Sequence, residues 1–273
     1  MMLQNLGYSE LELAEGPYAE FYNPDIGPMQ EQVKEALLAR NQAHELFPPV
    51  EQAASMAEPG YWAVETGYTR APDGAIRVFC LTHMPRVTPA MWDWWFGWHG
   101  CEARRYKLWH PKAHIEAKWA DGRDDEAYIG RTSLITEYLG PNIAKAGISF
   151  LPPSALGFDE AQLAAKGELV VCARVGLPGS PLKAGWLLHQ LRPVEGGSEM
   201  RSRMWMGGAN SAIGDDPGAL ARGAVRLLRP VASTMLPDPA ELLVHNAQEM
   251  AHLAGFLPEL FATFGAHVQR NAA

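Results

Sequence analysis

The sequence has few cysteines and no long apolar run. Its three cysteines, Cys80, Cys101 and Cys172, stand far apart without a Cys-x-x-Cys pair, so they imply neither a disulfide framework nor a thiolate zinc site. No stretch approaches the roughly 18 apolar residues that a membrane-spanning helix needs. The first residues lack the basic and apolar segments of a signal peptide. These absences predict a cytoplasmic protein that does not enter a membrane.

Charge of one sign is not concentrated anywhere in the chain. The formal net charge is −8, and the 23 lysines and arginines are scattered. Proteins that bind nucleic acids usually carry a basic patch, which is missing here. An apolar content of 47% is ordinary for a folded enzyme. We therefore expect a small-molecule partner and no nucleic acid, and the acidic surface is compatible with a homodimer.

The chain is predicted to contain an N-terminal arm, residues 1–58, and a main domain, residues 59–273. The arm contains one helix, from Met29 to about Glu45, which ends before the helix-breaking pair Pro48-Pro49. The main domain opens with a strand from Tyr61 and a hairpin whose turn contains Gly74. Thr88 and Pro89 then form the start of a helix of about four turns that is rich in tryptophan.

The rest of the main domain is predicted to be an antiparallel sheet followed by helices. Strands are expected at about 114–120, 131–139, 146–151, 168–176, 184–193 and 198–206, without the long helical crossovers that parallel strands need. Two helices follow, at about 217–229 and from Pro239 to about Phe264, with a kink at Pro258. A long sheet that closes around a C-terminal helix is an α+β helix-grip fold, which can enclose a cavity.

Two residues of the C-terminal helix form the clearest candidate for a metal site. His245 and Glu249 are four residues apart, so both side chains lie on one helical face, as two ligands of one metal ion must. His252 and Phe256 continue this face. The alternative is a solvated His/Glu pair that stabilises the helix by a few tenths of a kcal/mol.

Two strands also place polar side chains among apolar ones. Glu137 shares its strand face with Ile135 and Leu139, and a carboxylate on an apolar face needs a cation. Its alternative position is the solvent face. His189 lies between Leu187 and Leu191 on one face and should point inward, either as a site residue or as a core histidine satisfied by a carbonyl.

Three further histidines, His99, His110 and His114, cluster near Tyr106. His114 opens a strand whose same-face neighbours Glu116 and Lys118 are polar, which counts against an inward position. The residue pattern alone leaves the choice among the three open. A donor set of imidazoles and carboxylates without thiolates favours zinc, and less selectively iron or manganese.

Several motifs together resemble one known family. They are Met91-Trp-Asp-Trp-Trp-Phe-Gly-Trp-His-Gly100, Arg105-Tyr-Lys-Leu-Trp-His-Pro-Lys-Ala-His114, Glu137, Arg201-Ser-Arg-Met-Trp205 and His245-x-x-x-Glu249. This pattern resembles the diacetylphloroglucinol hydrolase family, with which phloretin hydrolase belongs. The resemblance runs from about Pro59 to about Leu257. It implies a helix-grip, Bet v 1-like fold and hydrolysis of the carbon–carbon bond between an acyl group and a polyhydroxylated ring.

The resemblance also implies roles for individual residues. One Zn²⁺ per chain would be held by His114, Glu137, His245 and Glu249, and a carboxylate such as Glu137 would also move protons. Tyr106 and His189 would hold the small aromatic ketone substrate. The sequence departs from the family at Met204, where a second substrate-binding tyrosine is expected, and a thioether cannot donate a hydrogen bond. The alternatives are a metal-free binding protein of this fold and a zinc hydrolase of esters or lactones.

Overall fold

The computed structural model describes residues 6–125, 127–214 and 236–265. Its helices are α1 (Glu10–Glu15), α2 (Glu31–Ala39), α3 (Pro89–His99), α4 (Ala103–Trp109), α5 (Glu160–Lys166), α6 (Pro239–Ala254) and α7 (Leu257–Phe264). Its strands are β1 (Gly67–Arg70), β2 (Ile76–Pro85), β3 (His114–Trp119), β4 (Thr132–Leu139), β5 (Asn142–Leu151), β6 (Leu169–Gly176), β7 (Leu182–Val194), β8 (Gly197–Met206) and β9 (Ala212–Ile213). Short 3-10 helices cover Ala19–Phe21, His44–Leu46, Val50–Ala57, Pro153–Leu156 and Gly208–Asn210.

One antiparallel sheet organises the described residues. The strand order is β1-β2-β8-β7-β6-β5-β4-β3, and β9 pairs with β7. Helix α6 packs against β2 and also contacts β1 and β4, so strands from both ends of the sheet meet the same helix. This arrangement confirms the predicted α+β helix-grip fold. None of the described helices has the length and apolar character needed to span a bilayer.

The two faces of the sheet are covered by different parts of the chain. On the inner face, Val78 and Met204 are buried together with Leu243 of α6. On the outer face, Trp205 is buried in a cluster with Phe47 and other N-terminal residues. Met204 and Trp205 are neighbours in β8 and point to opposite faces, as the two-residue period of a strand requires. The division of the chain at residue 58 stays a prediction.

The C-terminal helix differs from its prediction. Asp238 caps α6 by accepting hydrogen bonds from the backbone N–H groups of Ala240 and Glu241, with Pro239 in the first turn, as expected. However, α6 ends at Ala254, and a second helix, α7, begins at Leu257. Pro258 lies in the first turn of α7, where its missing N–H is not needed, so the predicted kink is a complete break before the proline.

Other element boundaries also differ from the predictions. The first of the two C-terminal helices, at 217–229, falls outside the described residues. The helix expected from Met29 ends at Ala39, because Arg40 has a φ of 60°. Strand β5 begins at Asn142 and not at about 146, because Gly140, with a φ of 56°, makes a tight turn directly after β4. Helices α1, α4 and α5 were not predicted, so the arm contains a second α-helix before the expected one.

Candidate metal centre and cavity

Four acidic and imidazole side chains converge between the sheet and α6. His114 begins β3 and pairs directly with Glu137 of β4, while His245 and Glu249 lie one turn apart on α6. The two imidazoles approach within 3.4 Å through their Nε2 atoms. The structure thus brings together the four residues that the resemblance proposed as metal ligands, although 131 residues separate the two histidines in sequence.

A β-bulge explains why His114 points inward. Ile115 is inserted in β3 without a partner, because His114 pairs with Glu137 and Glu116 pairs with the next residue, Thr136. The extra residue shifts the side-chain alternation, so that His114 is buried while Glu116 is exposed. The polar neighbours of His114 therefore do not share its face, and the argument against His114 from its strand pattern was wrong.

Three donor atoms of this cluster form a triangle of suitable size for a metal ion. Glu249 Oε2 lies 3.5 Å from His114 Nε2 and 3.7 Å from His245 Nε2, and the two nitrogens are 3.4 Å apart. Ligand atoms of a tetrahedral zinc site, at about 2.0 to 2.1 Å from the ion, lie roughly 3.3 to 3.5 Å from one another. These three residues could therefore hold a metal ion.

Glu137 completes the cluster from the side of the sheet. Its Oε2 lies 3.6 Å from His114 Nε2 and 3.7 Å from His245 Nε2. The same oxygen accepts a hydrogen bond from the hydroxyl of Tyr106. Glu137 is therefore in reach both of a metal ion bound by the histidines and of a phenolic proton.

Hydrogen bonds to neighbouring groups orient the donors. His114 Nδ1 lies 3.0 Å from the backbone carbonyl of Tyr106, to which it donates, so Nε2 is the lone-pair nitrogen that faces the cluster. The Tyr106 ring stacks on the His114 ring with centroids 3.7 Å apart. Asn246 donates to Glu249 Oε1 at 3.1 Å, which leaves Oε2 available. Such partners of the ligands fix their orientation and tautomer in metal sites.

Burial shifts the pKa values of all four groups toward the neutral forms. It lowers the pKa of His114 to about 3 and that of His245 to about 4. It raises the pKa of Glu249 to about 8 and also raises the pKa of Glu137. The imidazoles are therefore neutral at pH 7, as metal ligands must be, and the two buried carboxyl groups need a cation to be stable in the ionised form.

A cavity of about 240 Å³ lies beside the cluster, between the sheet and α6. Its lining includes Glu137, His245 and Glu249 together with Tyr106 and His189, and most of the remaining lining is apolar. His189 Nδ1 is 2.8 Å from Ser202 Oγ, and burial lowers the pKa of this histidine to about 3. A mostly apolar cavity with a few converging polar groups is the usual form of a small-molecule site.

Comparison with known protein families identifies the family of this chain. The model of the family described as "DAPG hydrolase PhiG domain" matches residues 46–262. The chain belongs to the DAPG hydrolase family. The predicted family and the predicted class, a hydrolase, are thereby confirmed.

Two relatives of this DAPG hydrolase family member have named activities. A 2,4-diacetylphloroglucinol hydrolase of a Pseudomonas species is 28% identical over 263 residues, which cover 91% of this chain and 88% of the relative. A phloretin hydrolase of Eubacterium ramulus is 28% identical over 259 residues, which cover 90% and 89% of the two chains. Among solved structures, human STARD10 aligns with a TM-score of 0.40 and 12% identity, covering 81% of this chain and 85% of its own.

The structure separates the three histidines between which the sequence pattern did not decide. His114 alone of the three contributes to the donor triangle. His99 lines the cavity, and its Nδ1 is 2.7 Å from the carbonyl of Trp95. His110 stacks on His245 with ring centroids 5.0 Å apart, and its Nε2 is 3.3 Å from Gln248 Oε1. These two histidines belong to the surroundings of the cluster.

Sequence reasoning missed Ser133, which lines the cavity. Ser133 shares the inner face of β4 with Ile135 and Glu137. The alternation of β4 could have identified Ser133, because it is four residues before Glu137. Trp109, the last residue of α4, lines the cavity as well. Met204 also lines the cavity, so the departure from the family pattern lies in the site itself.

Proposed function

We propose that this protein is a zinc-dependent hydrolase that cleaves the carbon–carbon bond between an acyl group and a polyhydroxylated aromatic ring. The observation that carries the proposal is the buried donor triangle of His114, His245 and Glu249 beside a largely apolar cavity. The named activities of the two relatives support the type of substrate. The products would be a carboxylic acid and the free phenol.

In this proposal His114, Glu137, His245 and Glu249 hold one zinc ion per chain. A bound zinc ion would act as a Lewis acid and lower the pKa of water. The residues of the chain supply the rest: neutral imidazoles with their lone pairs turned inward, and carboxylates that balance the charge of the cation. The apolar walls keep bulk water away from the reacting bond.

Tyr106 and His189 are proposed to hold the phenolic ring and to serve its proton transfers. Burial raises the pKa of Tyr106 well above its ordinary value, and the neighbouring Glu137 charge adds to this shift, so the hydroxyl stays protonated and can donate. Glu137 accepts from Tyr106, which gives a path for a proton between the ring and the carboxylate. Hydrolysis places one proton of water on the ring carbon and the hydroxyl on the acyl carbon.

Metal analysis combined with an activity assay tests this function. The wild-type protein, purified without added metal, should contain close to one zinc per chain by mass spectrometry and should release acetate and phloroglucinol from acetylphloroglucinol. His245→Ala should lose both the metal and the activity, because it removes one corner of the donor triangle. His83→Ala, at an exposed histidine of β2, is the matched control and should retain both. Metal-free wild-type protein, or full activity in His245→Ala, would contradict the proposal.

A further inference from the structure

The cavity wall is divided between two hydrophobic clusters of different composition. One part of the wall, which we call the aromatic half, belongs to the cluster that contains Phe96, Tyr106, Trp109, Ile135, Ile148 and Phe150. The other part, the aliphatic half, belongs to the cluster that contains Leu139, Ala144, Ala184, Met204, Met206 and Leu242. Val175 and Leu187 contact both clusters and form the junction.

The candidate metal centre lies at the boundary between the two halves. On β4, Glu137 is flanked on its own face by Ile135 of the aromatic half and Leu139 of the aliphatic half. On the adjacent strand β5, Ala144 pairs with Glu137 and belongs to the aliphatic half. Ala146, two residues further along β5, packs against the cluster of the aromatic half. Along both β4 and β5, the cavity wall therefore changes from the aromatic half to the aliphatic half at the position of Glu137.

The side chains that define the two halves differ in their polar groups, although the lining of the cavity also includes Lys145, Lys183 and Ser211. Tyr106 Oη, His99 and Trp109 Nε1 belong to the wall of the aromatic half or adjoin it. Trp109 Nε1 and Ser133 Oγ are both buried, and neither atom has a hydrogen-bond partner among the residues that the structure describes. Buried polar atoms are rarely left without partners, so a ligand with hydroxyl groups would be stabilised here. The six side chains that define the aliphatic half carry only carbon and thioether atoms beyond the backbone.

We propose that the polyhydroxylated ring binds in the aromatic half and the acyl chain in the aliphatic half, so that acyl chains longer than acetyl are preferred. This inference rests on the proposed function for the bond that is cleaved. With the acyl carbonyl at the boundary, the ring hydroxyls face the polar atoms of Tyr106 and Ser133, and the acyl chain faces carbon. An acetyl group can place only one methyl group against the six side chains of the aliphatic half, whereas a hexanoyl chain can contact most of them.

A series of acylphloroglucinols with acetyl, butanoyl and hexanoyl chains tests the inference. Each methylene buried in an apolar site is worth about three- to fourfold in affinity. We expect kcat/KM to increase along the series, with hexanoyl at least roughly tenfold above acetyl. Dissociation constants for the same ketones, measured by calorimetry, should follow the same order. A kcat/KM that does not increase with chain length would overturn the inference while leaving the proposed function intact.

Two matched variants locate the acyl chain. Ala184→Phe fills the aliphatic half and should reduce the hexanoyl-to-acetyl ratio at least about fivefold, whereas Ala146→Phe fills the aromatic half and should leave the ratio unchanged while slowing both substrates. Met204→Phe replaces Ala184→Phe if the latter does not fold. A ratio that changes in Ala146→Phe and not in the aliphatic-half variants reverses the assignment and overturns it. If none of the ketones is hydrolysed, the proposed function fails, and the ratios of dissociation constants decide the inference by the same criteria.

Discussion

Tyr106 connects the cavity with two of the proposed metal ligands. Its hydroxyl donates to Glu137, its carbonyl accepts from His114 Nδ1, and its ring stacks on the His114 ring. Only the first of these contacts needs the hydroxyl. Removal of this one oxygen atom therefore tests the role of Tyr106 in proton transfer without changing its role in positioning His114.

Replacing Tyr106 with phenylalanine should lower activity and spare the metal. Loss of a positioned proton donor typically costs about 100-fold in rate, so we expect kcat for acetylphloroglucinol to fall by roughly that factor in Tyr106→Phe. Zinc content should stay close to one per chain, because the stacked ring and the backbone carbonyl remain. Steady-state kinetics and metal analysis on the same preparation check both parts. Wild-type kcat, or loss of zinc, would contradict the assigned role of the hydroxyl.

At the level of elements, α6 carries two of the four proposed ligands and packs against the inner face of the sheet. Its first turn is fixed by the carboxylate of Asp238, whose Oδ1 lies 2.9 Å from Ala240 N and 3.2 Å from Glu241 N. Beyond this turn the helix buries Leu242, Leu243 and Met250. The cap therefore sets where the ligand-bearing helix starts.

Removing this cap should destabilise the fold measurably. Loss of an N-cap acceptor costs about 1 kcal/mol, so the free energy of unfolding of Asp238→Ala should fall by roughly that amount in urea titrations. Asp238→Asn is the control, because an asparagine oxygen accepts the same hydrogen bonds and should preserve most of the stability. Equal stability of all three proteins would show that the cap does not hold the start of α6.

At the level of the whole molecule, a buried ion pair joins the segment before β1 to the outer face of the sheet. Glu65 accepts from Arg201 at 2.6 and 2.9 Å and is also paired with Arg203. Arg201 further donates to the carbonyl of Met56 at 3.0 Å. Both arginines are almost completely buried, so the Glu65 carboxylate compensates two charges that water does not reach.

The pH dependence of stability should report this ion pair. Burial raises the pKa of Glu65, but the hydrogen bond from Arg201 and the charge of Arg203 outweigh it, so the folded-state pKa lies below the ordinary value. The stabilisation is therefore complete above the unfolded-state pKa of about 4.3 and is lost as the pH falls through the folded-state pKa. Glu65→Gln should lower the free energy of unfolding by about 3 kcal/mol at pH 7.

Urea titrations between pH 7 and pH 3 check this expectation. The difference in the free energy of unfolding between wild type and Glu65→Gln should decrease below about pH 4, since the wild-type carboxylate then takes up a proton and loses its charge. Glu259→Gln removes the partner of Arg86 in an exposed pair and is the control, for which we expect no measurable change. A cost of Glu65→Gln that is independent of pH would contradict the role of the carboxylate charge.

Local patterns in the sequence determined the parts of the site that depend on one element. The alternation of β4 and β7 grouped Glu137 and His189 with apolar residues on one strand face, and the four-residue spacing on α6 placed His245 and Glu249 on one helix face; all four residues line the cavity. These predictions needed only the periods of a strand and a helix, which neighbouring residues reveal. The antiparallel sheet followed in the same way, because no long helix separates most of the predicted strands.

Only the tertiary structure decided how these elements meet. The bulge at Ile115 turns His114 inward against its local pattern, and the break after Ala254 ends a helix that the pattern continued. The 3.4 Å approach of His114 to His245 depends on how α6 packs against the sheet. The division of the cavity into two halves depends on it too, because their walls come from strands and a helix far apart in the chain. Such contacts are set by packing between elements, and the residue period within a single element contains no information about them.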